Sequence, residues 1–242
     1  TGLRQVTDNI AHDLRSPLNR LRSRLEVTLM DDPGRDIYRT ALKSTMEEAD
    51  HLLNTFNALL LIGEAESGLD RSKLLKVDLS DRLHDLAELY EPAAEEAGLI
   101  FSENIEDGLC VRGQPDLISQ AVVNLLDNGL KYTPKDGKLE IKAYTDDMKR
   151  SCVEVSDTGP GIPPEDRVRV LDRFVRLEGS RSSPGSGLGL SLVAAVTKLH
   201  QGEIVLDDNK PGLIVRLIFP AFTEIEPALS DARGTPGKVP QK

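Results

Sequence analysis

The stretch QPDLISQAVVNLLDNGLKYTP, residues 114–134, is where chemistry first shows in this chain. Ile118, Ala121, Val122 and Leu125 recur at helical spacing and make one apolar face. Asn124, Asn128 and Lys131 stand at i, i+4 and i+7, together on another face roughly 100° away. Two amides and an ammonium on one face suit a hydrated hard cation held together with a phosphate. Mg²⁺ takes oxygen ligands and keeps several waters, so one Asn carbonyl plus phosphate oxygens can complete its shell. A solvated polar face would show the same spacing, and spacing alone does not separate the two. Gly129, inside the same helix, costs about 1 kcal/mol against Ala and points to a close approach by another backbone or a ligand.

Two glycine motifs follow. In VEVSDTGPGIP, residues 153–163, a strand ends on Asp157, and Gly159 and Gly161 open space beside it. A carboxylate so placed suits recognition of a purine amino group; a tight turn after a strand is the alternative. In GSGLGLSLV, residues 185–193, Gly185, Gly187 and Gly189 precede an apolar helix, whose first N–H groups and dipole favour an anion. The G-K-[ST] ending of a Walker loop is missing, and the spacing is not that of a dinucleotide fold. The intervening VLDRFVRLEGSRSSPGS, rich in Gly, Ser and Arg, has the composition of a mobile lid.

A third candidate is His12, in NIAHDLRSPLNRLRSRLE. Ile10, Leu14, Leu18, Leu21 and Leu25 form an apolar helical stripe, and His12 lies about 160° from Leu14, facing away from it, with Ser16 one turn on. Pro17 removes the usual donor to the Asp13 carbonyl, so the helix is expected to bend there.

These residues need elements to hold them. Residues 3–65 read as two long helices around DDPGRD, 31–36, the second carrying Leu42, Thr45, Ala49, Leu52, Phe56 and Leu59 at heptad rhythm. An antiparallel hairpin buries its stripes on one side only, so a second copy completing a four-helix bundle is expected. Boundaries fall as an all-α helical hairpin over 1–66, a linker over 67–73, an α+β domain over 74–222 and a disordered tail over 223–242. Within 74–222 the patterning predicts strands at 74–80, 99–105, 109–113, 138–144 and 151–157. It predicts helices from a Ser80 cap to Ala97, from Pro115 to Lys131, and from Gly187 to His200. A closing hairpin turns around NKPG.

Bulk properties narrow the class. The chain has 242 residues, a net charge of −10 and 39% hydrophobic residues, with no Trp, five Phe and four Tyr, so the core rests on Leu, Val, Ile and Ala. The acidic balance argues against non-specific nucleic-acid binding. Cys110 and Cys152 lack metal-site spacing and read as reduced thiols of a cytoplasmic protein. No apolar run approaches the ~18 residues of a membrane span. Opening on Thr1-Gly2 without Met, the chain reads as a cytoplasmic piece of a longer protein, with any membrane contact through a missing N-terminal part.

The order of these motifs resembles the cytoplasmic core of a two-component sensor histidine kinase, with an ATP-binding domain of Bergerat (GHKL) type in an α+β sandwich. HDLRSPL is similar to the H box, NLLDNGLKYTP to the N box, DTGPGIP to the G1 box, DRFVR to the F box and GSGLGLSLV to the G2 box. The resemblance covers about residues 3–221. It implies Asn128 as the Mg²⁺ ligand with Asn124 beside it, and Lys131 and Tyr132 on the ATP phosphates. It implies Asp157 on the adenine amino group, with Gly159, Gly161 and Ile162 shaping that pocket. Arg173, Phe174 and Arg176 would serve the lid, and Gly187, Leu188 and Gly189 the phosphates. His12 would be the phosphoacceptor, Asp13 the group orienting its ring, and Ser16 a hydroxyl able to position water for dephosphorylation. The family more often has Glu and then Thr or Asn where Asp13 and Ser16 stand, and Ala where Gly129 stands. Implied partners are a second copy through the hairpin and a response-regulator receiver domain, docking across Asn19, Arg20, Ser23 and Val27. The implied parent sits in the bacterial inner membrane.

Overall fold

The computed structural model describes residues 22–23, 25–29, 37–46, 49, 74–173, 175–177 and 187–222. Residues 22–23, 25–29, 37–46 and 49 are helical, before and after residues 31–36. His12, Asp13, Ser16, Asn19, Arg20, Phe174, Gly185, the linker and the tail lie outside the described residues, as does the 31–36 turn.

From Leu75 onward the chain alternates strands and helices. β1 (Leu75–Asp78) leads into α1 (Leu79–Ala97), then β2 (Ile100–Ile105) and β3 (Cys110–Gly113). α2 (Pro115–Tyr132) is followed by β4 (Lys138–Thr145) and β5 (Ser151–Asp157), then by two short 3₁₀ turns. α3 (Gly189–Leu199), β6 (Glu203–Asp208) and β7 (Leu213–Phe219) complete it. The five-stranded sheet runs β2-β4-β5-β7-β6; β2 pairs parallel with β4 and the other pairs are antiparallel. β1 and β3 make a separate antiparallel pair.

Strand period and helix period meet in one apolar layer. Leu139, Ile141 and Ala143 alternate along β4 with outward polar residues; Ile141 and Ala143 pair across with Val155 and Val153 of β5, which pair in turn with Val215 and Leu217 of β7. Against them pack Leu79, Leu83 and Ala87 of α1, Ile118, Val122, Leu125 and Leu126 of α2, and Leu192, Val193 and Val196 of α3. Burial of this kind is worth about 25 cal/mol per Å² of apolar surface and drives the layering. On the opposite face the sheet satisfies its charges internally: Arg216 Nε donates to Glu154 Oε2 at 2.9 Å across neighbouring strands.

Two local expectations are revised. Ser80 is not the cap of α1. Asp78 is, its side chain accepting from the N–H of Asp81 at 3.2 Å. Ser80 is buried inside the first turn, donating to the Glu106 carbonyl and accepting from the Leu109 N–H, so it pins α1 to the β2–β3 connection. Gly129 meets neither a backbone nor a ligand site: a Cβ there would run into the side chain of Leu139. The glycine is a notch that lets β4 seat against α2.

Candidate functional site

α2 is the spine of the site. Its N-terminal half is anchored in the core by Ile118, Ala121 and Val122, which turns Asn124 and Asn128 to a half-buried flank. Asn124 donates its amide hydrogen to the Gln120 carbonyl at 2.8 Å, which leaves its own carbonyl oxygen facing outward from the helix. The start of α3 comes to that flank. A Cβ built on Gly189 would stand 3.3 Å from Asn124 Oδ1 and 3.6 Å from Asn128 Nδ2. The N-box amides and the G2 glycine, 61 to 65 residues apart in the chain, therefore share one cradle, which a side chain at 189 would crowd.

The cradle has the right chemistry for an anion with its counter-ion. Leu188, at the N-cap of α3, has no polar side chain of its own, and the first N–H groups and dipole of a helix favour an anion. Among the described residues no group of three His, Cys, Asp or Glu could hold a metal by itself. A divalent ion here would be held by amide oxygen together with ligand oxygens, the arrangement Mg²⁺ favours. Lys131, one turn past Asn128 and exposed, places its ammonium 4.7 Å from the centre of the Tyr132 ring.

At the far end of α2 lies Asp157. A Cβ on Gly159 would stand 2.9 Å from both Asp157 Oδ1 and the Tyr132 carbonyl, so helix end and strand end meet across that glycine. The carboxylate accepts the Gly159 N–H at 2.7 Å, and the backbone N–H of Leu213 lies toward it. Burial pushes the Asp157 carboxyl upward, and these two backbone donors oppose the shift. A half-buried carboxylate with unused acceptor capacity suits an amino-bearing heterocycle. The hydroxyl of Thr158 accepts the Lys138 N–H at 2.8 Å and fixes the turn.

The other expected residues are arranged around this axis. Gly161 and Ile162 lie beside the β6–β7 turn, and Arg167 Nε donates to the Ile162 carbonyl at 3.1 Å. Gly187 takes φ +73°, a left-handed conformation suited to glycine, just ahead of α3. Arg173 and Arg176 are half-buried. What the sequence reading missed is the β6–β7 turn, seen there only as NKPG. Asn209 Nδ2 donates to the Asp157 carbonyl at 2.7 Å.

Comparison with known proteins agrees on both halves of the chain. The family of the "His Kinase A (phospho-acceptor) domain" matches residues 3–68, and that of the "Histidine kinase-, DNA gyrase B-, and HSP90-like ATPase" matches residues 113–223. The chain is 33% identical over 219 residues to the probable sensor protein PcoS of Escherichia coli, covering 89% of this chain and 46% of that protein. Among solved structures, the mycobacterial sensor histidine kinase MprB is 30% identical with TM-score 0.56, covering 60% of this chain and 97% of that one. The histidine kinase ThkA in complex with the response regulator TrrA shares the fold at 19% identity and TM-score 0.66, covering 90% of this chain and 61% of that one. The chain spans about half the length of the curated relatives it matches. No helix of the described residues is long and apolar enough to cross a membrane.

Proposed function

The chain belongs to the two-component sensor histidine kinases, and from that membership we propose that it transfers the γ-phosphoryl group of ATP to His12 and then to an aspartate of a response-regulator receiver domain. The observation that carries the reading is that Asn124, Asn128 and Gly189 meet on one flank of α2, while Asp157 meets Tyr132 at the C-terminal end of the same helix. One helix thereby spaces a phosphate cradle from a base pocket.

Roles follow from position. Asp157 accepts the adenine amino hydrogen, and Gly159, Gly161 and Ile162 shape the walls around the base. Lys131 and Tyr132 border the phosphates from α2, and Gly187, Leu188 and Gly189 bring backbone donors to them at the start of α3. Asn128 supplies the amide oxygen for Mg²⁺, which when bound neutralises charge on the phosphates. Arg173, Phe174 and Arg176 belong to the segment that closes over the nucleotide and excludes water. His12 Nε2 is the nucleophile, with Asp13 holding the Nδ1 proton so that the ring presents the correct tautomer. In-line transfer of this kind depends mostly on positioning and on charge neutralisation. Ser16, four residues after His12, positions water when the phosphorylated partner is hydrolysed. The response regulator docks across Asn19, Arg20, Ser23 and Val27; of these, Ser23 and Val27 are exposed. The solved complex of ThkA with TrrA supports a receiver-type partner.

The test is labelling with ATP carrying radioactive γ-phosphate, comparing the wild type with His12→Gln and Asn128→Ala. The expected label is acid-labile and base-stable, and is lost in both variants. Label that survives in His12→Gln would sink the assignment and favour a hydroxyl acceptor on the same nucleotide fold.

A further inference from the structure

The turn between β6 and β7 is not part of any motif read from the sequence, yet it makes three contacts with the one residue that reads the base. On the β7 side the ladder of β5 ends at the pair Ser156↔Ile214, one residue short of Asp157. The Asp157 carbonyl lies beyond that ladder, and Asn209 Nδ2 donates to it at 2.7 Å. Leu213, first residue after the turn, places its backbone N–H toward the Asp157 carboxylate. Gly212, at φ +121°, lies so close to the Asp157 carbonyl that a Cβ there would overlap it.

The turn is also a single unit. Asn209 N–H donates to the Gly212 carbonyl at 3.2 Å, tying the contact to the backbone of Asp157 to the contact with its carboxylate. Its reach extends to the other end of DTGPGI. A Cβ on Gly161 would stand 2.7 Å from the Gly212 carbonyl, and Asp207 Oδ1 lies 3.7 Å from Arg167 NH1, whose Nε holds the Ile162 carbonyl. A carboxylate at a strand end has a rotatable side chain, and on the β7 side its backbone is beyond the ladder. Here the Asp157 backbone, paired with Leu139 of β4, is held on the β7 side by Asn209, and its carboxylate sits between the Gly159 N–H it accepts and the Leu213 N–H.

We propose that Asn209 is a positioning residue for base recognition, and that the Asn209–Leu213 turn sets the selectivity of this site for an amino-bearing purine. The proposal rests on the assignment of Asp157 to the base. A carboxylate held in place accepts hydrogen from the adenine amino group and repels the carbonyl oxygen that guanine presents at the same point. A carboxylate free to swing does both less well.

The experiment is equilibrium binding of Mg-ATP and Mg-GTP to the full chain. Asn209→Ala is expected to weaken ATP about three- to tenfold, the range of one lost hydrogen bond, and to narrow the ATP-over-GTP ratio, with the unliganded thermal midpoint little changed. Gly212→Ala, which pushes on the Asp157 carbonyl directly, should act in the same direction and more strongly. Wild-type affinity and ratio in Asn209→Ala would overturn the proposal. So would equal weakening of both nucleotides together with a lowered midpoint, the signature of a merely structural turn. Asp157→Ala separates the two layers: if it retains ATP, the base assignment itself fails; if it loses ATP while Asn209→Ala does not, only the positioning role fails.

Discussion

Gly189 shows how little space the proposed phosphate cradle leaves. It is the first residue of α3, where Ala would ordinarily favour the helix by about 1 kcal/mol. The position instead faces two amide groups of α2 within 4.0 Å of a would-be Cβ. Gly189→Ala is therefore expected to keep or slightly raise thermal stability while weakening Mg-ATP binding about tenfold or more, read by titration calorimetry beside a melting curve. Unchanged affinity would mean that the flank shared by Asn124 and Asn128 is not the phosphate site. At this scale the sequence was legible wherever chemistry repeats at helical spacing, as in Asn124, Asn128 and Lys131, or sits in a glycine motif, as with Asp157. Asn209 was not, because its partner is 52 residues away and nothing local marks an amide that reaches a distant carbonyl. Gly129 was legible as an anomaly but not as a cause, since only the folded sheet shows that Leu139 fills the notch.

Between elements, the joint that the patterning could not show is His200. The sequence ends α3 near it and says nothing more. In the fold it is buried at 3% exposure, its Nε2 accepting the Gln114 N–H at 2.9 Å and its Nδ1 donating to the Val196 carbonyl at 2.7 Å. Gln114 caps α2, so the ring fastens the end of one site helix to the beginning of the other. Both bonds require the neutral ring protonated on Nδ1, and burial pushes the His200 pKa down. The unfolded chain takes up the proton near the ordinary value of about 6.5 and the folded chain resists it. Stability is thus full above pH ~6.5 and falls as pH drops from there toward the lowered folded value. Urea unfolding at pH 8 and at pH 5.5 should show that loss. His200→Gln should cost about 1–3 kcal/mol at pH 8 through the orphaned Gln114 N–H and should flatten the pH dependence. An equally steep dependence in the variant would place the titrating group elsewhere. Ser80 teaches the same lesson from the other side: a residue type common at helix caps was spent on a buried tether, and Asp78 two residues earlier took the cap.

For the molecule as a whole, the order of the motifs was the most legible feature, because each box is local and the chain carries them in sequence. What sequence periodicity states only indirectly is how many copies make the working unit. The helical residues before the linker carry Leu29, Ile37, Leu42 and Met46 at 56% to 71% exposure in a single chain. Four large apolar side chains in the water on two helical stretches make an unsatisfied surface of the kind that marks an interface. A second copy laid against them would bury it as a four-helix bundle, consistent with membership of the phospho-acceptor domain family over residues 3–68. Sedimentation equilibrium is therefore expected to give twice the chain mass. The combined change Ile37→Asp with Leu42→Asp should shift it to one. The residues proposed for nucleotide binding from Asn124 to Gly189, and the turn that braces Asp157, all come from the later elements, so the monomeric variant should bind Mg-ATP with wild-type affinity. Its labelling of His12 should fall because phosphoryl transfer depends on how the helical unit and the ATP-binding unit are held. A doubly substituted chain that remains a dimer would remove Ile37 and Leu42 from the interface.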